Sequence, residues 1–593
     1  MQTNEQSIYK LLKRLWEHVG SHRRRQFVWL LVLMIFGSFS EMISIGAVLP
    51  FLAVLTAPSR VFEYKAIQPF VHLLGISTAD QLIFPITVAF GMAGLIAGAM
   101  RILLLRVSTH LSFAVGADLG MSIYRKTLYQ PYIVHISRNG SEVISGITDK
   151  THTVIYSIIT PSLILVSSSV MLIAILLVLL TINPYIAIIA FGGFGILYAV
   201  IIKVSRNKLK GYSRCIARET TQVIKSLQEG LGGIRDVLLD GSQSTYCDIY
   251  RNADQPLRKA QGDIQFIGQS PRYAMEAIGM LLIASLAYLL TRQEDGISKA
   301  IPVLGALALG AQRLLPALQQ SYYAWSAILS GQSSLQNAIE LLDQPLPDHH
   351  DQQVFKAIPF HNQIKLCEVS FRYNPQTPWV LKNLNLEILK GSRVGFIGTT
   401  GSGKSTLLDI VMGLLQPNEG SLEIDGHPIT EKNYRSWQVN IAHVPQAIFL
   451  ADSTIAENIA FGVHKEKIDY ERVHQAARQS QIADMIESWP GRYETFVGER
   501  GVRLSGGQRQ RIGIARALYK QADVIIFDEA TSALDNDTEK AVMQAIESLS
   551  GTLTILIIAH RLSTLQNCTK VVELSDGGIK RIGTYHELVT SMA

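Results

Sequence analysis

The sequence predicts a two-part chain. An all-α polytopic membrane domain over residues 1–342 is followed by a linker at 343–358 and an α/β P-loop domain over 359–593. Three observations support this. Charged residues are 17% of the 593, against roughly a quarter in soluble proteins, and the shortage falls in the first half. Six apolar runs reach spanning length, starting near Phe27, Ile83, Ile155, Tyr185, Ala274 and Ile301. Beyond them, short β-branched runs alternate with helical stretches around "GTTGSGKS" at 398–405.

In order along the chain, "SIYKLLKRLWEHVG" places Ile8, Leu11, Leu12, Leu15, Trp16 and Val19 at helical spacing among lysines and arginine. That is an amphipathic helix for the cytoplasmic membrane surface rather than a cleavable signal. Lys and Arg crowd the segment before the first run and the long connections after the second and fourth. The connections after the third ("TINP") and fifth ("RQEDGISK") are short. The positive-inside rule then puts both termini and both long connections in the cytoplasm. Helical periodicity continues through those connections, so the spans extend far beyond the membrane and turn near "PYIVHISRN" (131–139) and "GGIRDVLLDG" (232–241). Outside, "KAIQPFVHLLGI" is apolar enough for a short surface helix.

Glu41, Arg101, Glu276 and Arg313 fall inside the runs, with Arg272 at the start of the fifth. Such charges cost a few kcal/mol each at mid-membrane, so they face a partner or a wet cavity. Internal Glu–Arg pairing and a polar cavity are both open on this reading. A net charge of +6 without a long basic tract argues against nucleic acid as a partner. The four cysteines show no CxxC spacing, which predicts neither a disulfide framework nor a zinc site.

In the second half, the 398–405 stretch fits GxxxxGK[ST], after the apolar strand "RVGFI" and before the helical "TLLDIVMGLL". Backbone N–H groups of such a loop converge on phosphate oxygens, helped by the helix N-terminus. Lys404 would reach the β/γ-phosphates and Ser405 would ligate Mg²⁺. "VIIFDEA" (524–530) reads as a buried parallel strand ending in two carboxylates. Asp528 suits the Mg²⁺ shell, and Glu529 suits a base that orients and deprotonates the attacking water.

"RLSGGQRQRIGIARAL" (503–518) contains LSGGQ and resembles the signature of ATP-binding cassette proteins. The resemblance extends over the whole chain and implies a half-size exporter with long cytoplasmic helical extensions, working as a dimer and most simply as a homodimer. It implies that ATP is bound by Tyr373, stacked on adenine, and by Gly398, Thr399, Thr400, Gly401, Ser402, Gly403, Lys404, Ser405 and Thr406. From the facing cassette come Ser505, Gly506, Gly507 and Gln508, with Asp535 in the crossing loop "SALD". Gln446 would join Ser405 and Asp528 at Mg²⁺, while Glu529, Gln446 and His560 form the hydrolytic set. "TFVGERG" (495–501) resembles the segment that meets the cytoplasmic turns of the membrane half.

For the cargo, Arg101, Arg272 and Arg313 suggest a cavity for a phosphate-bearing head group, since guanidinium forks pair with phosphate bidentately. The membrane half is similar to bacterial flippases of lipid-linked oligosaccharides. That implies a polyprenyl-pyrophosphate glycolipid moved across the bacterial cytoplasmic membrane. The alternative is a multidrug or lipid A-type lipid exporter. An ATP-gated channel or a purely ATP-binding subunit is a third class, opposed by the intact Glu529, LSGGQ and His560.

Overall fold

The computed structural model describes residues 7–56, 58–64, 67–68, 75–182, 184–291, 314–347, 355–529, 536–547, 553–558 and 565–589. The chain divides into two compact units. One comprises Met1–Gln130 and Arg138–Leu346, the other Pro131–Ser137 and Pro347–Ala593.

The first unit is helical. Its N-terminal helix Ile8–His18 buries Leu11 and Leu15 in a core with Leu335, Ala338 and Ile339. On the other face, Arg14 pairs with Asp343 and His18 Nε2 lies 2.7 Å from the same carboxylate. This helix is therefore pinned to the end of the Gln332–Leu342 helix. Among the described residues, three helical stretches have the length and apolarity to cross a membrane: Ser21–Thr56, Ala79–Leu128 and Gly140–Val178.

The Ile83–Leu128 helix has 46 residues. At 1.5 Å per residue it is about 69 Å long, over twice a ~30 Å hydrocarbon core. Pro184–Gly232 and Gln243–Thr291 have 49 residues each. Long helices therefore account for the long connections after the second and fourth apolar runs, as their periodicity predicts. The third helical run begins earlier than the apolar signal near Ile155: it starts at Gly140 and passes through π-turns at Gly146–Lys150 and Val154–Ile159. Its first turns carry polar residues that hydropathy alone does not register. The start of the sixth span lies outside the described residues, as does most of "KAIQPFVHLLGI"; residues 314–330 are helical.

The second unit is α/β. A four-stranded antiparallel sheet runs in the order β2-β1-β4-β5, with β1 Gln363–Phe371, β2 Leu381–Leu389, β4 Glu419–Ile424 and β5 His427–Pro428. A six-stranded sheet runs in the order β10-β9-β3-β8-β7-β6. Its strands are β3 Arg393–Gly398, β6 Ile441–Val444, β7 Val524–Asp528, β8 Thr554–Ile558, β9 Lys570–Ser575 and β10 Gly578–Gly583. All neighbours are parallel except β10 with β9. β7 and β8 are buried almost throughout, as a parallel sheet covered on both faces requires.

The register matters for the site. Phe396 of β3 and Asp528 of β7 both pair with Ile558 of β8, and Val444 of β6 pairs with Phe527. The chain therefore leaves β3, β6 and β7 at one edge, where doubly wound sheets place their ligands. Beneath it, Trp437 is fully buried and its indole N–H donates to Val411 O at 2.8 Å, where the Lys404–Val411 helix ends.

His443 on β6 is mostly buried, and that burial pushes its pKa down from 6.5 to about 4. The folded state thus binds fewer protons than the unfolded chain, so the stabilisation is complete above about pH 6.5 and lost as pH falls toward 4. Thermal unfolding of the full-length protein should show this acid loss, on the order of 1–2 kcal/mol after solvent screening. His443→Gln should flatten that part of the pH profile. Trp437→Phe should lower stability by about 1–2 kcal/mol at every pH, because a buried carbonyl loses its donor.

Candidate nucleotide site and membrane cavity

The loop after β3 is shaped by glycine. Gly398, Gly401 and Gly403 have φ of 144°, 84° and 97°, values that side-chain-bearing residues rarely adopt. A Cβ on Gly398 would also run into Leu574 O, and one on Gly403 would crowd Leu381 and Val380 O. The loop closes with Ser402 N–H donating to Thr399 O at 3.1 Å. Thr400 lies within this loop, and the Lys404–Val411 helix begins with Lys404, Ser405 and Thr406.

Lys404 points back into the loop. Its ammonium donates to Gly398 O at 2.8 Å and Thr399 O at 2.9 Å. Burial lowers its pKa, opposed by the nearby carboxylates of Glu529 and Asp528. A cation held by its own loop carbonyls fits phosphate oxygens better than any neutral group. Tyr373 follows β1. Its hydroxyl is 2.9 Å from Thr406 Oγ1 and its ring packs edge-on against Phe371 at 5.0 Å. The remaining ring surface is exposed, which suits base stacking.

At the same sheet edge, Gln446 Nε2 donates to Glu529 Oε2 at 2.6 Å. Glu529 itself has φ of 53°, and its N–H donates to Ile558 O at 3.1 Å. A left-handed glutamate is uncommon and is held here by the sheet hydrogen bond. Asp528 stands immediately before it, at the end of β7. The hydroxyl of Ser405, the Gln446 amide and the Asp528 carboxylate are oxygen donors of the kind Mg²⁺ prefers.

In the signature segment, Ser505 caps the helix Gly506–Tyr519 through a capping box with Gln508. Ser505 N–H donates to Gln508 Oε1 at 2.8 Å and Gln508 N–H to Ser505 Oγ at 3.3 Å. Gly506 and Gly507 open that helix without side chains over its N-terminus, leaving its amides accessible to an anion. Asp535, His560 and Arg313 lie outside the described residues.

One feature was not named by the motifs. Asp409 is pushed up to about 6 by burial and by the Asp528 charge. Its signal was present: Asp409 follows Ser405 by four residues, one helical turn along the same face. Pro131–Ser137, within the turn that the sequence predicts at 131–139, groups with the cassette. Ile133 packs on the core beneath the two sheets, and Tyr132 is raised by burial with Asp409 and Tyr373 nearby. The second turn, Ile234–Leu239, belongs to the helical unit and presents Leu238 and Leu239 to the exterior. In "TFVGERG", Gly498, Arg500 and Gly501 all have positive φ and Phe496 is exposed, as is Val502 just after it.

In the membrane unit, Arg101 forms an ion pair with Glu41, whose side chain is buried. Arg272 Nε donates to Glu276 Oε1 at 2.8 Å along one helix, in an exposed i,i+4 pair. Both arginines therefore have carboxylate partners. The sequence had left this pairing open.

Comparison with known proteins agrees with this geometry. Residues 27–294 match the ABC transporter transmembrane region family, and residues 381–532 match the ABC transporter family. An ATP-dependent lipid A-core flippase of Saccharophagus degradans is 30% identical over 80% of this chain and 79% of its own. A protein of the same name from Alkalilimnicola ehrlichii is 29% identical over 80% of both chains. A solved bacterial Atm1-family ABC exporter with ATP bound superposes with a TM-score of 0.76, covering 96% of each chain at 23% identity. The chain thus belongs to the ABC transporters, as a half-size exporter in which a helical transmembrane domain is followed by an ATP-hydrolysing P-loop cassette.

Proposed function

We propose that this protein is an ATP-driven flippase of a phosphate-bearing glycolipid of the lipid A-core type, working as a homodimer in the bacterial cytoplasmic membrane with both termini inside. The observation that carries the cargo is the 30% identity over four-fifths of both chains to a lipid A-core flippase. The polyprenyl-pyrophosphate reading rests on the intramembrane arginines and on local resemblance of the membrane half to lipid-linked oligosaccharide flippases. Of those described, Arg272 is the better candidate for a phosphate contact. Its pair with Glu276 runs along one helix and leaves the arginine accessible, so a phosphate can reach it.

In the cassette, Lys404 and the loop amides hold the phosphates, and Tyr373 carries the adenine. Ser405, Gln446 and Asp528 would hold Mg²⁺, which supplies charge neutralisation on the β- and γ-phosphates. Glu529 takes a proton from the attacking water, and the Gln446 amide fixes that carboxylate at 2.6 Å. His560 and Asp535 keep the roles that the family motif gives them.

A dimer follows from the chemistry of the signature. The Ser505–Gly507 amides reach the γ-phosphate only from a facing cassette, so ATP binds the closed pair better than the open one. That difference in affinity drives the change of access. The segment Pro131–Ser137, seated on the cassette near Tyr373 and Asp409, is placed to pass closure on to the helices.

Glu529→Gln should cut steady-state ATP hydrolysis at least ~100-fold, the usual scale for a general base, with ATP binding retained in a filter or fluorescence assay. Gly398→Ala should instead abolish ATP binding, because its Cβ meets Leu574 O in a backbone conformation reserved for glycine. For the cargo, ATPase rates in proteoliposomes should rise on adding a lipid A-core glycolipid, and Arg272→Ala should blunt the rise. Stimulation by an undecaprenyl-pyrophosphate oligosaccharide alone would overturn the cargo assignment and leave the ATPase assignment standing.

A further inference from the structure

A recess of about 400 Å³ opens on the helical unit where the Ile8–His18 helix folds against Ser21–Gly46. Leu30, Met34, Val115 and Ile158 make its floor and are almost fully buried. Trp16, Val28, Leu31 and Val166 make its lip and are exposed. Apart from the Trp16 indole, Ser162 is the one polar side chain among the described residues lining it. One end of the recess is basic. Arg24 and Arg25 stand one turn before Phe27 and Val28 of the lining, and Lys13 one turn before Trp16. Arg24 is fixed there: its guanidinium donates to Trp16 O at 2.9 Å and Glu17 O at 3.0 Å, and lies 5.8 Å from the Trp16 ring centre. Arg14 and Arg23 answer Asp343 and Asp118. Lys13, Arg24 and Arg25 then stand against Glu17, the one acid between Ser7 and Met34. From Phe27 to Met34 the wall runs about 10 Å without a charge.

This polarity restricts the occupant. Ordered water needs two to four polar partners, which such a wall does not supply. The N-terminal "MQTNEQ" is polar in all but its first residue, so it gains nothing from an apolar recess. The lip opens outward from three helical stretches long and apolar enough to span a membrane, where the surrounding medium is hydrocarbon. A lipid tail therefore fills the recess at no cost in desolvated polar groups. The basic end then selects the head group. A phosphate accepts charge-assisted hydrogen bonds from Arg24, Arg25 and Lys13. A zwitterionic head group brings a cation of its own into the same cluster and loses part of that gain by repulsion. The exposed rings of Trp16 and Trp29 flank this end, as amphipathic rings do at the level of lipid head groups.

We propose that this recess holds one acyl chain of an anionic glycerophospholipid, whose phosphate sits among Lys13, Arg24 and Arg25. The site is built within one protomer at the junction of its first two helices. It requires that the helical unit lie in a membrane and is independent of the cargo reading above.

The test is photolabelling of the full-length protein in phosphatidylcholine vesicles. Each vesicle carries a trace of phosphatidylglycerol or of phosphatidylcholine, both bearing the same diazirine-tagged acyl chain, and labelled residues are mapped by mass spectrometry. Leu30, Met34, Ile158 and Leu163 of the recess should be labelled about tenfold more by the glycerol lipid, the scale that a few basic side chains give an anionic lipid. Leu95 and Ile173, exposed on neighbouring helices, serve as the reference for general lipid contact. Lys13→Gln with Arg25→Gln should bring the two lipids level in the recess and leave the reference labelling unchanged. Ser162→Leu, which narrows the recess without altering a charge, should lower recess labelling by both lipids against the same reference. Equal recess labelling by the two lipids in the wild type would overturn the proposal, with no variant required. So would a tenfold preference that survives Lys13→Gln with Arg25→Gln. Labelling of Leu95 and Ile173 with none in the recess would mean that protein covers it, a second copy or residues 1–6, and would overturn the proposal as well.

Discussion

The register of four parallel strands is the constraint on which the catalytic edge depends. Phe396, Ile558 and Asp528 stand level across β3, β8 and β7, and Val444 stands beside Phe527 on β6. One or two residues further on, each chain leaves the sheet. Gly398, Gln446 and Glu529 therefore emerge at one edge, although up to 131 residues separate them in sequence. A slip of one residue in any pair would turn the side chains to the opposite face. The nearly continuous burial of β7 and β8 between two hydrophobic cores resists such a slip.

On that frame, local conformation does the finer positioning. Glycines at 398, 401 and 403 turn the loop so that Lys404 folds back onto its carbonyls. Glu529 is held in a left-handed conformation by its own N–H on Ile558, and its carboxylate by Gln446. In the signature, Ser505 and Gln508 satisfy each other and hold the start of the Gly506–Tyr519 helix in shape. Each device leaves polar groups arranged before a ligand arrives, so little reorganisation is needed at the moment of reaction.

The membrane unit solves a different problem. A carboxylate among apolar helices is tolerated only when a cation or a ligand answers it. The close approach at Gly37 lets Arg101 of the neighbouring helix do so for Glu41. The same pair lines a cavity among these helices. Arg272 and Glu276 form their pair along one helix and in the open, which makes that arginine the more readily diverted.

Much of this was legible in the sequence because motif chemistry is local. GTTGSGKS needs its glycines for left-handed turns. "VIIFDEA" has to be a buried strand because nothing in "VIIF" is at home in water, and the long helices declare themselves by periodicity. Composition alone separated the membrane half from the cassette. What the sequence could not decide was pairing at a distance. Whether Arg101 lines a cavity or answers Glu41 depends on two helices meeting at Gly37, 64 residues before Arg101. That Gln446 grips Glu529, and that Asp409 feels Asp528, depends on strand order, which no spacing rule encodes. Local conformation follows from each residue's own sterics and hydropathy, whereas charge partnership follows from which elements pack together, and only the tertiary structure decides that.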